Sequence, residues 1–263
     1  NWILIFGFDM GISGAAIASS FAELCSLAIL SVYMYRHIDK KAYGLYWRID
    51  VKILKEVFSV SIWSMLQFFT SVAAWFVFFL AIERLGETEL AVSNIVRSVS
   101  TLFAVIVNAL SAVTGSLVSN LIGAGERDAV FPLCRRITRL GYAIGIPLII
   151  LALLFHRFAI GAYTDSPDIV QAACLPFAVM LFDYFLALPS YVYLNAVVGT
   201  GATRAVFVFH VSTIIVYLLG LWGLSRCNVT LATYWLMEYL FVTLLGIQSI
   251  FYLKNDRTKN TNL

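Results

Sequence analysis

Residues 182–204 read FDYFLALPSYVYLNAVVGTGATR, and this stretch decides the fold of the chain. One carboxylate, Asp183, lies inside an apolar run that begins near Ile169 and has no other charged residue before Arg204. A helix needs about 20 predominantly apolar residues to cross a bilayer, so the run predicts a membrane span with an acid near its middle. Because an ionisable group at that depth is costly, Asp183 is a functional candidate from the outset.

The composition of the chain is that of an integral membrane protein. Of its 263 residues, 61% are hydrophobic and 13% are charged, with a mean hydropathy of +0.87, whereas soluble domains have about 45–50% apolar and about 25% charged residues. The expected partner is therefore the lipid bilayer, and no nucleic acid is expected. The cysteines are scattered without a CxxC or His/Cys cluster, so we predict neither a metal site nor a cofactor.

Seven apolar segments are each long enough to span a bilayer as a helix, which predicts an all-α integral membrane fold. The apolar residues WILIFGF precede them, and we interpret these as the tail of a helix that begins upstream, so that the chain is expected to be part of a longer protein. The predicted spans are Ile12 to Tyr35, Val57 to Ile82, Leu90 to Ile122, Leu140 to Ala162, Ile169 to Val198, Ala205 to Leu224 and Leu231 to Leu253.

The basic residues of the connections predict the orientation of the spans. Of the 18 lysines and arginines, fourteen fall in alternate connections and in the C-terminal tail, three fall in the other connections, and Arg97 lies inside a span. Basic residues accumulate on the cytoplasmic side of membrane proteins. The linker 36–56 and the tail 254–263 are therefore expected to be cytoplasmic.

The linker 36–56 is the only long polar connection, and it has two interpretations. Its second half, YWRIDVKILKEVF, alternates basic and apolar residues at helical spacing, which favours a helix lying on the membrane surface between two bundles. The alternative is an ordinary extension of the next span. We favour the surface helix, because a connection of about 20 residues inside a compact domain usually marks a boundary.

Polar side chains recur along one face of the predicted span Val57 to Ile82. Gln67 and Ser71 share that face with Ser64 and Trp75. Helix packing through hydroxyl groups explains the serines. A buried primary amide instead favours a cavity, because its donors and acceptors need polar partners.

The next predicted span also has a polar face, which includes Asn94 and Asn108, and Arg97 stands beside it. Arg97 has two interpretations. Its guanidinium reaches the headgroup region, or it pairs with an acid on another span, for which Glu238 is the best candidate by depth. The full set of substrate-cavity candidates is Gln67, Ser71, Asn94, Arg97, Asn108, Tyr184 and Asn195.

Three acids lie inside predicted spans: Glu23, Asp183 and Glu238. A carboxyl group in a medium of low dielectric is balanced between its charged and neutral forms, which is the property that a proton- or sodium-coupled carrier needs. Asp183 and Glu238 are therefore the cation-coupling candidates, whereas a structural role is expected for Glu23. His210 is expected to be a hydrogen-bonded structural histidine rather than a proton relay.

Four motifs resemble those of multidrug and toxic compound extrusion (MATE) transporters. Residues 117–127, LVSNLIGAGER, resemble the LVGQxLGAGxx end of the eighth helix in that family, and residues 91–95, AVSNI, resemble its AAHQI start. Residues 195–204, NAVVGTGATR, resemble the GALRGAGDTR junction between the tenth and eleventh helices. ILIFG at 3–7 followed by GAAIA at 14–18 is similar to the turn between the fifth and sixth helices. The four motifs also occur in the family's order.

The resemblance implies a MATE-like fold of the MOP superfamily, in which this chain forms the six-helix C-terminal lobe and the last helix of the N-terminal lobe. Residues 1–35 would end the N-terminal lobe, 36–56 would connect the lobes, 57–253 would form the C-terminal lobe and 254–263 would be the tail. The implied activity is antiport across the bacterial inner membrane, with cationic or amphipathic drugs leaving in exchange for Na⁺ or H⁺. The missing N-terminal lobe is the implied partner.

Two other functions are alternatives to antiport. A flippase for lipid-linked oligosaccharides, in the same superfamily, would prefer a cavity richer in Arg and Lys for pyrophosphate. A membrane-embedded enzyme is not expected, because the sequence has no HExxH, GxSxG or metal-ligand cluster.

The sequence departs from the family pattern at three positions. Trp63 stands where the seventh helix often carries a proline, and Ser71 stands where some sodium-coupled members carry Glu. The acid of the tenth helix would align near Ala187, so Asp183 is displaced by one turn. The resemblance leaves an alternative, which is coupling through the N-terminal lobe, where other members hold a proton-linked Asp.

Overall fold

The computed structural model describes residues 3–38, 50–164, 166–227 and 229–261, with side chains up to Asp256. Within these ranges the regular structure is helical, which confirms the predicted all-α class. A π-helical turn, Ile3–Gly7, comes first, and a 3₁₀ turn, Arg127–Ala129, precedes the fourth helix. The α-helices are α1 (Gly11–His37), α2 (Val51–Glu83), α3 (Glu87–Gly123), α4 (Val130–Leu154), α5 (His156–Gly161), α6 (Pro167–Gly199), α7 (Thr203–Leu224) and α8 (Leu231–Thr261).

Seven of these elements are long and apolar enough to cross a membrane. They are α1, α2, α3, α4 with the turn before it, α6, α7 and α8, and each corresponds to one predicted span. The short helix α5 follows α4 inside the segment that was predicted as a single span. The chain is therefore a multi-pass membrane protein, as the sequence predicted.

The start of α2 corrects the preferred interpretation of the linker 36–56. α2 begins at Val51 and runs without interruption to Glu83, so residues 51–56 extend this span and do not form a separate surface helix. Residues 39–49 of the same linker lie outside the described residues. The surface-helix interpretation is therefore wrong for the described part of the linker, where the ordinary extension holds.

Two other helix ends extend beyond the predicted spans. α4 begins at Val130 rather than Leu140, and α8 reaches Thr261 rather than Leu253. Hydropathy locates the apolar core of a span, whereas a helix continues into the headgroup region where charged side chains meet water. Both extensions carry basic residues, so the predicted spans underestimated the helices at their charged ends.

The chain divides into two compact units, Asn1–Leu54 and Lys55–Leu263. In the first unit the π-helical turn packs on the start of α1, where the Met10 amide donates to the Leu4 carbonyl at 3.1 Å. A Cβ on Gly14 would lie 2.9 Å from that carbonyl oxygen, so the close approach requires glycine. In its described residues up to Ile38, the first unit is thus a long helix with a short turn folded onto its N-terminal end.

α6 is the central helix of the second unit. It packs against α3, α8 and α4, and residues on all sides of it are buried. A helix that is apolar all round is suited to this interior position. α7 packs on α8, whereas α2 contacts its neighbours through large side chains, as in the ring pairs Trp63–Phe207 and Trp75–Trp235.

Two glycines allow α4 to approach α6 closely. Gly141 faces Leu188, and Gly145 faces the ring of Tyr184; an added Cβ would lie 2.5 Å and 2.3 Å from these side chains. Small residues one turn apart commonly bring membrane helices into contact. The approach lets the Tyr184 hydroxyl donate to the Gly141 carbonyl at 2.8 Å.

Pro189 lies inside α6 and removes one hydrogen bond from that helix. The carbonyl of Phe185, four residues earlier, loses its usual donor and instead accepts from the Tyr142 hydroxyl of α4 at 2.7 Å. Neighbouring helices often satisfy carbonyls that proline frees in membrane helices. This contact lies two residues from Asp183, so α4 holds the α6 backbone beside that acid.

The ends of α3 and α6 meet on the side predicted to be cytoplasmic. The Ser119 hydroxyl donates to the Gly199 carbonyl at 2.9 Å, which joins two of the motifs that resemble the MATE family. Gly201, in the turn after α6, has a φ of 84°, a conformation that favours glycine. On the same side Arg127 and Asp256 form an exposed ion pair at 3.0 Å, which ties the turn before α4 to α8.

Candidate functional site

A cavity of about 290 Å³ lies inside the second unit, between α3, α6 and α8, with Trp75 of α2 in its lining. Small-molecule sites typically have volumes of about 300–1,000 Å³, so this cavity is at the lower end of that range. The lining residues with a polar group in the side chain, apart from Trp75, are Ser100, Asn108, Asp183, Tyr184, Tyr191, Trp235 and Glu238.

Two carboxylates, Asp183 and Glu238, face this cavity from different helices and are close enough to interact electrostatically. The Glu238 carboxylate accepts a hydrogen bond from the Tyr217 hydroxyl at 2.6 Å, whereas Asp183 Oδ1 is buried without a hydrogen-bond partner. Among the described residues, no Lys, Arg or His forms an ion pair with either acid. The cavity therefore holds two acids without a protein cation to balance them.

Aromatic rings form much of the remaining lining. The rings of Trp75 and Trp235 lie 6.3 Å apart, and those of Phe103 and Tyr184 lie 6.2 Å apart. Because the Tyr184 hydroxyl donates to the Gly141 carbonyl, Tyr184 lines the cavity with its ring. Aromatic faces close to carboxylates attract organic cations, since the ring quadrupole adds to the attraction of the charge.

A second, smaller cavity of about 40 Å³ adjoins the first. Trp75, Tyr191 and Glu238 line both cavities, and Ser71 and Tyr217 line the smaller one. A cavity needs about 10–15 Å³ of such volume to hold one water molecule. The smaller cavity therefore has room for water between the Glu238 carboxylate and the hydroxyl groups around it.

Several of the candidates predicted from the sequence come together in these cavities. Asp183, Glu238, Asn108 and Tyr184 line the larger cavity, and Ser71 lines the smaller one. The polar face of α2 is thus turned towards Glu238.

Gln67 lies beyond the smaller cavity. Its amide nitrogen is 3.0 Å from His210 Nε2, and Ser71 Oγ is 3.3 Å from His210 Nδ1. His210 is hydrogen-bonded, as the sequence led us to expect.

Three other candidates lie outside both cavities. The exposed Arg97 guanidinium lies 5.0 Å from the centre of the Phe79 ring and donates to the Asn94 side chain at 3.3 Å. The alternative ion pair with Glu238 is therefore not formed. Asn195 donates to the Tyr191 carbonyl one turn earlier in α6. It packs beside Gly115.

Sequence reasoning missed Tyr191 and Trp235 as lining residues and Tyr217 as the donor to Glu238. A signal existed for the first two, since Tyr191 lies two turns after Asp183 on the same face and Trp235 lies three residues before Glu238. Applying helical spacing outward from each acid would have found both. Tyr217 gives no such signal, because it reaches Glu238 from another helix.

Two of the positions that depart from the MATE pattern, Ser71 and Asp183, line the cavities of the structure. Asp183 and Ala187 line the same cavity, so a displacement by one turn keeps the acid on the same face of α6. Ser71, which stands at the position of a Glu in some sodium-coupled members, shares the smaller cavity with Glu238. The carboxylate that α2 lacks is thus supplied nearby by α8.

Seven helices of the described residues are long and apolar enough to span a membrane, and four of them line a cavity with two unbalanced acids and aromatic walls. These features are those of a polytopic membrane-transport protein. The MatE family model matches residues 64–222, which is more than half of the chain. The chain belongs to the MatE family, and the resemblance drawn from its motifs is confirmed.

Relatives and a solved structure agree with this assignment. The chain is 28% identical over 211 residues to the probable multidrug resistance protein NorM of Xanthomonas axonopodis, covering 76% of this chain and 43% of that protein. It is 24% identical over 197 residues to the uncharacterized transporter YisQ of Bacillus subtilis, covering 69% of this chain and 41% of YisQ. A MOP superfamily transporter from Pyrococcus furiosus matches 97% of this chain with a TM-score of 0.82 at 15% identity, which shows a shared fold.

These matches also define how much of a family member the chain contains. The chain spans 41–43% of the length of these two curated relatives and 58% of the solved structure. The relatives are named as transporters or resistance proteins, so the expectation that the chain is not an enzyme is confirmed.

Proposed function

We propose that the chain forms the C-terminal lobe of a secondary active antiporter that exports organic cations or amphipathic drugs in exchange for Na⁺ or H⁺. In this proposal residues 57–253 form the lobe, 1–35 end an N-terminal lobe, 36–56 connect the two, and 254–263 form a tail on the cytoplasmic side of the bacterial inner membrane. The N-terminal lobe is the partner that completes the transporter.

The observation that carries this proposal is the pairing of Asp183 and Glu238 in one cavity without a protein cation. Two ionised carboxylates in a medium of low dielectric repel each other, and each favours a bound cation or proton. Rings of Trp75 and Trp235 in the same lining suit an organic cation. Coupling cation and substrate would then compete for the same negative field, which is the basis of exchange.

The flippase alternative receives less support from the same cavity. A pyrophosphate group is bound by Arg and Lys, and in the described part of the chain neither residue type lines the larger cavity. Arg97 lies inside a predicted span, but its exposed side chain is outside the cavity and donates to Asn94.

The test is dye efflux by the complete transporter in vesicles, with Na⁺ and pH gradients imposed separately. We expect Asp183→Asn to lower coupled efflux by about tenfold or more, a loss comparable to that of a positioned acid or base. Glu87→Gln, which removes an exposed acid in the first turn of α3, is the matched control and is expected to leave efflux unchanged. Coupled efflux at the wild-type level in Asp183→Asn would remove this acid from the mechanism.

A further inference from the structure

His210, Gln67 and Ser71 form a buried polar cluster that the larger cavity does not include. The His210 side chain is 3% exposed. It contacts two residues of α2: the Gln67 amide nitrogen is 3.0 Å from its Nε2, and Ser71 Oγ is 3.3 Å from its Nδ1. From α8, the ring of Phe241 packs against it at a centroid distance of 6.0 Å. No charged side chain of the described residues forms an ion pair with it.

The hydrogen bonds of this cluster accommodate either charge state of the imidazole. The Ser71 hydroxyl already donates to the Gln67 carbonyl at 3.0 Å, so Nδ1–H donates to Ser71 and Nε2 accepts from the Gln67 amide. A second proton on Nε2 needs an acceptor. The Gln67 side chain provides one if its amide turns over, because it carries both a donor and an acceptor at its end. The cluster thus satisfies neutral and protonated His210 with one side-chain rotation.

Ser71 connects this cluster to the acids. It lines the smaller cavity of about 40 Å³ together with Tyr191, Tyr217 and Glu238. That volume holds at least one water molecule, and the site offers two or more polar partners for it, which is what a buried water requires. Water in this cavity can therefore join the Glu238 carboxyl group to the Ser71 hydroxyl group through a short chain of hydrogen bonds.

The connected groups also lie at different depths in the membrane. α8 begins at Leu231, at its outer end, and Glu238 lies seven residues further along this helix. α7 begins at Thr203, at its inner end, and His210 lies seven residues further along that helix. At 1.5 Å per residue each lies about 10 Å from its own end. In an apolar core about 30 Å thick, the two groups are then about 10 Å apart along the membrane normal.

We propose that Ser71 and His210 form the inner part of a proton path that starts at Glu238. The proposal rests on the proposed antiport and narrows its coupling ion to the proton. The path starts from the other tautomer of His210, in which the Gln67 amide has turned over to accept from Nε2–H and the Ser71 hydroxyl has turned from the Gln67 carbonyl towards Nδ1. The Glu238 carboxyl then gives its proton to water in the smaller cavity, that water passes a proton to Ser71 Oγ, and Ser71 gives its own hydroxyl proton to Nδ1. The products are a carboxylate and an imidazolium, so charge and protons balance.

Release completes the path on the inner side. Ser64, one turn before Gln67 on α2, lines an open groove that also includes Ser61 and Thr203. In the proposed path the Gln67 amide then turns back, and water replaces its oxygen as the acceptor of the Nε2 proton. The sequence predicted a structural role for His210, and the path assigns it a transport role in addition.

The test uses the complete transporter in vesicles with a trapped pH dye. It compares His210→Gln, Ser71→Ala and Ser71→Thr, which keeps the hydroxyl, with Ser225→Ala, which removes a hydroxyl bonded within its own helix end. Three quantities are measured: efflux driven by a pH gradient, proton movement per substrate, and substrate exchange without a gradient.

We expect His210→Gln and Ser71→Ala to lose about tenfold or more of the proton-driven efflux. Because His210 lines neither cavity, His210→Gln should keep exchange without a gradient and substrate affinity at the wild-type level. Ser71→Thr and Ser225→Ala are expected to retain proton-driven efflux. If His210→Gln does not fold, the comparison of Ser71→Ala with Ser71→Thr still tests whether the Ser71 hydroxyl is needed for proton-driven efflux.

Four outcomes would overturn the path. They are wild-type proton-driven efflux in Ser71→Ala, equal loss in Ser71→Ala and Ser71→Thr, loss of exchange and affinity together with coupling in His210→Gln, and wild-type efflux driven by Na⁺ alone. The last outcome would leave the proposed antiport intact, whereas no efflux by the wild type under either gradient would contradict the antiport itself.

Discussion

Removing the Tyr142 hydroxyl tests whether Pro189 creates an obligatory contact between α4 and α6. In Tyr142→Phe the Phe185 carbonyl loses its donor, and Pro189 has no N–H to replace it. Tyr184→Phe is a matched control, because it also removes a hydroxyl that donates between the same two helices, at 2.8 Å to the Gly141 carbonyl. That carbonyl lies within the continuous helix α4 and keeps its ordinary intrahelical donor.

The two variants should differ in magnitude. Hydrogen bonds between membrane helices contribute about 0.6 kcal/mol on average, so we expect Tyr184→Phe to lower the free energy of unfolding by roughly that amount. Leaving a buried carbonyl unsatisfied costs about 1–3 kcal/mol, and we expect Tyr142→Phe to fall in this range. The two losses should therefore differ by about 0.4–2.4 kcal/mol. A difference of about 1.4 kcal/mol, near the middle of that range, is a tenfold change in the unfolding equilibrium constant.

The free energy of unfolding is measured by titrating each purified variant in lipid–detergent micelles with a denaturing detergent, followed by circular dichroism. Equal losses in Tyr142→Phe and Tyr184→Phe would refute the reasoning, because the proline-freed carbonyl would then have no special need for its partner. A larger loss in Tyr184→Phe would refute it as well.

Two further predictions concern packing and surface charge. Gly145→Ala should destabilise the chain by about 1–3 kcal/mol, because the added Cβ would lie 2.3 Å from the Tyr184 ring. Gly223→Ala should be neutral or stabilising, because a Cβ there would have no neighbour within 4 Å. Thermal unfolding of the two variants checks this. Arg127→Gln should cost less than about 1 kcal/mol, because its ion pair with Asp256 is exposed; the same measurement at low and high salt should show a smaller loss at high salt.

The helices were predictable because each is long, apolar and bounded by charged connections. Asp183 and Glu238 could be chosen as candidates for the same reason, since a carboxylate is conspicuous in an apolar run. The meeting of Asp183 and Glu238 in one cavity could not be predicted, because the helices α6 and α8 are separated in sequence by α7 and spacing carries no information about how two helices rotate towards each other.

Arg97 shows a second limit of the sequence. Its depth was compatible with an ion pair to Glu238, and the structure instead places it on Asn94 and Phe79. Helical spacing puts Arg97 near the face of α3 that carries the cavity-lining residues Ala104 and Asn108. The long side chain of Arg97 nevertheless reaches a neighbouring helix, where its guanidinium lies over the Phe79 ring of α2. Depth alone therefore overestimated the chance of contact.

Moving a carboxylate between helices tests whether its position in space, rather than its position in sequence, matters for coupling. Ser71 and Glu238 line the same small cavity from α2 and α8. The double variant Ser71→Glu with Glu238→Ala places the acid on α2 and leaves the total side-chain volume nearly constant. Packed interiors tolerate substitutions that conserve volume better than those that change it. We expect Glu238→Ala alone to lose coupled efflux and the double variant to regain a substantial part of it.

The control for this exchange is Ser71→Gln with Glu238→Ala, which has the same size and no charge. It should stay as inactive as Glu238→Ala, because the amide can fill the cavity but cannot hold a cation or exchange a proton. Vesicle efflux at equal protein amounts measures all three variants. If the glutamate and glutamine double variants were equally inactive while both remained folded and bound substrate, the acid would be required on α8 itself, and a shared cavity would not be a sufficient account of coupling.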